Sequence, residues 1–455
     1  MNNTKNIVIL GAGTAGTILA NKLAKKYNVT IVDSSPDHYY QPGFLFLPFK
    51  KTSLKKIKKP KAKFITKKAN FILAHVSKID AQDSKIYLED GQALDYTVLI
   101  VATGSRIAPE ETEGLKAELW RKDIFDFYTP EGATALAERL STFSGGKLVV
   151  NIAEMPIKCP VAPLEFTFLA DDYFKKRGIR DQVEIVFSTP LTGAFTKPKA
   201  SQKLGHLLTD RDVRVEPEFS IMEVNNKEKK IVSYEGREIA FDLLVSVPTN
   251  KGSQLIVDSG LGDELGFIDT DHFTLQSKAH SNIFVAGDAT NVPASKAGST
   301  AHFQTDNLVE NVTRYLNSQQ LVGEFDGHAN CFVESGGGKA LLIDFNYDVQ
   351  PLEGKFPFPV IGPMSLLKES RLNHIGKLAF GFIYWHFLLK GRPIPFIPNR
   401  LKMSGKKIDK PAPASQEPTT SNANQNSQAN ISDGFDDALV RQQMVVNNDI
   451  NKEKK

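Results

Sequence analysis

The chain has 455 residues, 41% of them hydrophobic and 24% charged, ordinary values for a globular protein with two or three cored domains. A net charge of +4 is too mild to argue for nucleic acid, and two cysteines without a CxxC or CxxH pair exclude a disulfide scaffold or a metal cluster. The longest apolar run, "LAFGFIYWHFLL" (378–389), is far short of the about 20 residues that cross a bilayer.

The opening "KNIVILGAGTAGTILANKLAKKYNVTIVDSS" reads as strand, glycine turn, helix, strand. Gly11, Gly13 and Gly16, with Ala15 among them, fit a dinucleotide loop at the mouth of a helix. Gly11 allows the turn, Gly13 admits a pyrophosphate to bare backbone, and Gly16 lets helix and strand close up. Asp33 ends the second strand, where a carboxylate can accept from a ribose hydroxyl. Residues 50–68 then hold ten lysines and no acid, either a solvated face or an attraction to anionic lipid headgroups. No base-stacking aromatics alternate with these charges, which argues against nucleic acid. "ALDYTVLIVATGS" (93–105) is a buried strand ending in the turn Ala102-Thr103-Gly104.

Residues 116–246 read as an insert with its own βαβ pattern. Its first long strand, "KLVVNI", leads into "AEMPIKCPVAPLEF", where a second dinucleotide loop would need glycines. There are three prolines instead, Glu154 would repel phosphate, and Cys159 stands before a helix. A helix start beside Lys158 predicts a stabilised Cys159 thiolate. Glu165 falls in the first turn of that helix, as a capping acid or a proton-handling group. The strand "IAFDLLVSVPTN" (239–250) faintly echoes "ALDYTVLIVATG". "NIFVAGDAT" (282–290) is another buried strand, and Asp288 after Gly287 can bond a ribityl hydroxyl.

These pieces together resemble the two-dinucleotide-binding flavoproteins, which implies FAD as cofactor. "KCPVAPLEFTFLADDYFKKRGIRDQVEIVFSTP" is more specific and resembles the sulfide:quinone oxidoreductase family, as do "NVPASKAGSTAHFQ" (291–304) and "NCFVESGGGKALLIDFNY" (330–347). The resemblance covers about residues 5–403. It implies an α/β fold of two Rossmann-like domains, the second inserted in the first, with a C-terminal membrane-associating region. The expected parts are an FAD domain in two pieces (1–115 and 247–325), the insert carrying Cys159 (116–246), a quinone and membrane region carrying Cys331 (326–403), and a disordered tail (404–455) tipped by a short helix near "DDALVRQQMVV".

The family pattern also implies a reaction. Hydrogen sulfide is oxidised to sulfane sulfur at a Cys159/Cys331 pair, Cys331 hands the electrons to FAD, Lys296 reaches the pyrimidine end of the flavin, and a membrane quinone takes the electrons away. A third cysteine that many members carry has no counterpart in "FDFYTPEGA" (125–133). Both thiols have redox roles, so FAD is expected to be non-covalent. In the C-terminal region, Leu372, Ile375, Leu378, Ala379 and Phe382 have helical spacing, and Ile383 to Leu389, Trp385 included, follow with a basic fringe. That pattern predicts an interfacial helix; the quinone that the resemblance implies adds the expectation of peripheral attachment on the cytoplasmic face of the cell membrane, with Phe356, Phe358 and Ile361 as candidates to line a quinone channel. A homo-oligomer is compatible with all of this. The rivals are a type II NADH:quinone dehydrogenase, which needs the missing glycine loop, a flavocytochrome sulfide dehydrogenase, which needs export, and a non-catalytic sulfur-binding flavoprotein adaptor.

Overall fold

The computed structural model describes residues 5–394 and 397–408. Runs of β-branched residues build two five-stranded parallel sheets, each buried on both faces. In the first, the order is Ile283–Val285, Val98–Val101, Asn6–Leu10, Asn28–Asp33, Asn70–Leu73. The first strand of the chain is central, and the order switches direction beside it, which opens a crevice at the carboxyl ends of the strands. The second sheet runs Ile124–Phe125, Leu243–Val247, Gly146–Ile152, Val183–Ser188, Val213–Glu216. Its strands come from within the expected insert, save that Leu243–Val247 runs one residue beyond it.

The echo between the two halves is structural. Each parallel sheet is entered through a three-stranded antiparallel ribbon whose last strand, Ala93–Asp95 or Glu238–Ala240, leads straight into a buried parallel strand. The helix Ala162–Lys176 ends at Gly178, whose φ of +69° suits the left-handed turn after a helix.

The C-terminal region forms a four-stranded sheet in the order Ala329–Gly336, Lys339–Phe345, Gly362–Leu366, Gly354–Phe358, followed by the helix Arg371–Ile383. Ser370 caps that helix by accepting from the Asn373 N–H at 3.0 Å. The chain stays ordered beyond residue 403, where the tail was expected to start. The Lys355 N–H donates to the Gly405 carbonyl at 2.8 Å, the Lys407 N–H to the Glu353 carbonyl at 2.8 Å, and the Lys406 ammonium reaches buried Asp344. The rest of the expected tail, with "DDALVRQQMVV", lies outside the described residues. No described helix is long and apolar enough to cross a membrane.

The expected interfacial segment of this region differs in part from the sequence expectation. Leu372, Ile375, Leu378 and Phe382 are 52% to 62% exposed, and Val360 and Ile361 nearby are 89% and 82% exposed. Exposed Lys368, Arg371, Lys390 and Arg392 occur along the same stretch of chain. Trp385, by contrast, is buried, with its ring 5.0 Å from Phe64 and 5.5 Å from His38, and the Lys59 ammonium lies 4.5 Å over it. The reason is its neighbour. The Tyr384 hydroxyl hydrogen-bonds His38 at 2.6 Å and Thr14 of the glycine-loop helix at 2.7 Å, which turns this end of the helix into the core. Phe356 is buried too, packed with Leu342 and Leu366 between strands rather than lining a channel. Phe358 stays 40% exposed.

The glycine turn is the least forgiving part of the first sheet. Gly11 has φ +94°, and a Cβ added there would sit 2.4 Å from the Ala102 carbonyl oxygen. Gly11→Ala is expected to cost about 1–3 kcal/mol and to lower the ratio of bound flavin to protein. Thermal unfolding together with flavin absorbance of the purified variant measures both.

Candidate active site

Three loops converge at the carboxyl ends of the first sheet. Asp33 accepts from the Ala12 N–H at 2.6 Å and the Ser35 N–H at 2.8 Å, and buried Lys61 pairs with it at 2.5 Å. One member of the basic stretch is thus an internal counter-ion. Gly13 is open, since a Cβ there would meet nothing within 4 Å. Asp288 accepts from the Ser105 hydroxyl at 3.1 Å, and Gly287 donates to Gln304 at 2.6 Å. A recess follows, lined by Gly287, Asp288, Thr290, Lys296, Thr300 and Gln304. The hydroxyls of Thr103 and Thr300 are buried without any hydrogen-bond partner. Orphaned donors beside a glycine cradle and two acidic residues at strand ends fit a dinucleotide with sugar hydroxyls in both halves, as FAD has in its ribose and its ribityl chain.

Lys296 lines this recess, but its ammonium donates to the carbonyls of Asp288 at 2.9 Å and Thr290 at 2.7 Å and lies 3.8 Å over the Phe267 ring. Burial pulls its pKa down to about 8. The main chain of Lys296 does something else: its carbonyl accepts the Cys159 N–H at 2.7 Å, stitching the cysteine loop to the loop that lines the recess.

Cys159 is held in the left-handed region at φ +52°, an unusual place for a residue with a Cβ. Its carbonyl accepts from the Ala162 N–H at 2.8 Å and the Tyr128 hydroxyl at 3.4 Å. The expected low-pKa thiolate is not what this environment makes. Burial pushes the Cys159 thiol well up, and the neighbouring Cys331 and Glu165 add to the push. The Lys158 ammonium is turned to the Ser105 carbonyl at 2.9 Å, and the helix begins only at Ala162. Cys331 is pushed up less, to about 11; burial is the main cause, and the Ser299 hydroxyl, 4.0 Å from its sulfur, pulls it back. Both cysteines are free and partly buried.

Glu165 is 2% exposed and accepts the Glu334 N–H at 2.7 Å. Its main partner is the Lys377 ammonium, which also donates to the Phe332 carbonyl at 3.2 Å. Burial raises the Glu165 carboxyl to about 6, with Lys377 opposing. For Lys377, burial works downward, but the Glu165 and Glu334 carboxylates outweigh it and its pKa rises. Glu334 is itself buried and takes His374 Nδ1 at 2.9 Å. Sequence reasoning singled out Glu165 but missed its partners. Lys377 passed for a cation flanking a membrane helix, and Glu334 for part of a quoted segment. The available signal was a His and a Lys three residues apart among the exposed apolar positions of one helix.

The loop after Gly146–Ile152 does not cradle phosphate. Ile157 and Val161 fill it as buried core, and Glu154 accepts the Thr249 hydroxyl at 3.2 Å. No described cluster of His, Cys, Asp or Glu has the shape to hold a metal ion.

The profile of one family, pyridine nucleotide-disulphide oxidoreductase, matches residues 5–305. The chain belongs to that family. It is an FAD-dependent oxidoreductase. Two relatives named "Sulfide:quinone oxidoreductase, mitochondrial", from Dictyostelium discoideum and Mus musculus, are 28% and 27% identical over 402 and 399 residues, which is 86% of this chain and 87% of each relative. The solved sulfide:quinone oxidoreductase of Aquifex aeolicus superposes with a TM-score of 0.71 at 19% identity, over 85% of this chain and 92% of that one. That likeness is one of fold.

Removing Lys377 while keeping Glu165 leaves a buried carboxylate without its counter-charge. Lys377→Met is expected to cost about 3–5 kcal/mol, much of it regained by adding Glu165→Gln. The sign with pH follows from the raised carboxyl. Wild type and variant lose the carboxyl's contribution alike from its ordinary 4.5 up to about 6, but without Lys377 the carboxyl is held higher still, so the Lys377→Met penalty should grow over the interval above about 6. Denaturant titrations at pH values across the interval measure it.

Proposed function

We propose that this chain is a sulfide:quinone oxidoreductase in which Cys159 and Cys331 form the redox pair, FAD is held non-covalently, and membrane quinone is the final acceptor. The observation that carries the reading is the placing of the two cysteines: both pack against one hydrophobic core with Glu165 and Lys377 as common charged neighbours, and Cys159 is bonded through its own N–H to Lys296 in the recess lining. Relatives bearing that name align over most of the chain.

FAD, when bound in the recess, supplies the acceptor for an electron pair. Asp33 and Asp288 are the residues to hold its ribose and ribityl hydroxyls, with Thr103 and Thr300 as further donors. The cysteines do the sulfur chemistry. In the oxidised enzyme they are joined, and hydrosulfide attacks the Cys159 sulfur, breaking the S–S bond and leaving a persulfide on Cys159. The thiol with the lower pKa leaves faster, and Cys331 is that thiol, with the Ser299 hydroxyl beside it. Cys331 then faces the electron acceptor while Glu165 takes the proton set free. The nucleophile of the first step is therefore the substrate, and a depressed Cys159 pKa is not required.

NADH is disfavoured as a reductant because the second loop is filled by Ile157 and Val161 and carries Glu154. Quinone is reached through peripheral attachment. The exposed row Leu372, Ile375, Leu378 and Phe382, with the tip Val360 and Ile361, is an apolar face fringed with cations, suited to the headgroup region of an anionic bilayer.

Anaerobic sulfide is expected to bleach the flavin of the purified protein, NADH to leave it oxidised, and Cys331→Ser to abolish bleaching while keeping FAD bound. Bleaching by NADH, or wild-type bleaching in Cys331→Ser, would refute the reading. The docking face makes a separate expectation. Leu372→Glu with Leu378→Glu should cut turnover with vesicle-embedded quinone about 10-fold, with a smaller loss for a water-soluble quinone; equal losses would sink the membrane assignment.

A further inference from the structure

We propose that Glu165, Lys377, Glu334 and His374 form the route by which protons leave the cysteine pair, with His374 as its outer end. The proposal rests on the sulfide reading and adds the path that reading lacks. The balance requires one. Joined cysteines, hydrogen sulfide and FAD give a trisulfide, the singly protonated anionic reduced flavin, and one proton. The flavin accepts both electrons and one hydrogen, so the other proton must leave the neighbourhood of two partly buried cysteines.

Two hydrogen-bonded side-chain pairs lie one beyond the other there, Lys377 on Glu165 and His374 on Glu334, and they are joined by charge rather than by a side-chain hydrogen bond. Glu165 and Lys377 are the charged groups that act on both cysteine sulfurs. Lys377 donates to Glu165, the Glu334 N–H donates to the same carboxylate oxygen at 2.7 Å, and Lys377 lies in the field of both carboxylates. Glu334 then holds His374 Nδ1, which is 2.9 Å from each of its oxygens. Exposure rises only at the last member. The side chains of Glu165 and Glu334 are 3% and 1% exposed and that of Lys377 8%, whereas that of His374 is 22% exposed.

Charge explains the direction of travel. Glu165, Glu334 and Lys377 are the buried members of the group, and His374 bonds Glu334 at its more exposed edge. A proton arriving at Glu165 removes one negative charge, so the group then favours release of a proton elsewhere, and His374 is the member that meets solvent. The other ionisable groups nearby do not offer a rival exit. The Tyr40 and Tyr128 hydroxyls are held protonated by burial, and Lys51, close enough to feel Glu334, is engaged with Asp172, which accepts from the Gly337 N–H. His374 touches neither sulfur nor cofactor, so it is a positioning and relay residue rather than a catalytic one.

The test is anaerobic stopped-flow mixing of FAD-loaded enzyme with sulfide, in weak buffer with a pH-indicator dye, at a pH where neutral hydrogen sulfide predominates over its anion. In the wild-type enzyme, flavin bleaching and proton release should coincide. In His374→Gln, bleaching should slow about 10-fold, proton release should lag, and millimolar imidazole should restore both. Wild-type bleaching and an unchanged dye trace in His374→Gln would overturn the route. So would slow bleaching that imidazole does not restore, since that marks a purely structural role. A wild-type enzyme that sulfide fails to bleach would instead remove the sulfide reading, and this route with it.

Discussion

The buried ion pair of Glu165 and Lys377 is the contact on which the sulfur side of this molecule depends. It joins the helix that follows Cys159 to the helix that follows Cys331, across the strand Ala329–Gly336. Taking two charges out of water costs several kcal/mol per ion before their attraction returns any of it. Such a pair is weak evidence for stability and better evidence for placement. Each partner has a second, directional bond to the same strand, Glu165 through the Glu334 N–H and Lys377 through the Phe332 carbonyl. An apolar pair of equal volume would keep the helices packed but would not set the register of that strand against them. The register matters because Cys331 lies one residue before Phe332.

The other cysteine is positioned by backbone alone. Cys159 occupies a left-handed conformation that costs of order 1–3 kcal/mol in a residue with a side chain. Its N–H and its carbonyl are both committed, to Lys296 on one side and Ala162 on the other. Those bonds make the loop rigid where a thiol must be aimed, and they tie it to the segment that borders the flavin recess. Tyr384 plays the matching part on the far side of the glycine turn, through His38 and Thr14. The cysteine loop and the glycine turn are therefore each clamped by a segment far away in the chain.

Much of this was legible in the sequence wherever a local pattern carries its own geometry. The glycine turn with Asp33, the turn at Ala102 to Gly104 and the strand ending in Asp288 all need their neighbours in the chain and little else. The second sheet could be read from its buried strands, and the echo between residues 93–105 and 239–250 proved to be a shared ribbon-and-strand unit. What could not be read depends on contacts made across more than a hundred residues. Trp385 looks interfacial until Tyr384 is seen to bond His38. Lys377 looks like a membrane fringe until Glu165 is found beneath it. The thiolate expectation for Cys159 failed for the same reason: helix position and a neighbouring lysine are local signals, whereas burial is set by the whole fold and outweighs them here.

The absent second glycine loop then has a physical explanation. The carboxyl end of Gly146–Ile152 is the place where a parallel sheet opens a crevice, and any fold of this kind presents a loop there. Phosphate would need bare, approachable backbone at that point. Prolines and buried Ile157 and Val161 remove both the room and the free N–H groups, and the same stiffness holds Cys159 in a conformation that a glycine-rich turn could not maintain. The topology still delivers the loop to the recess lining, as the bond from Cys159 to Lys296 records. A loop position that in a dinucleotide-binding sheet would meet phosphate therefore holds a fixed sulfur instead, which is the feature the sulfide proposal builds on.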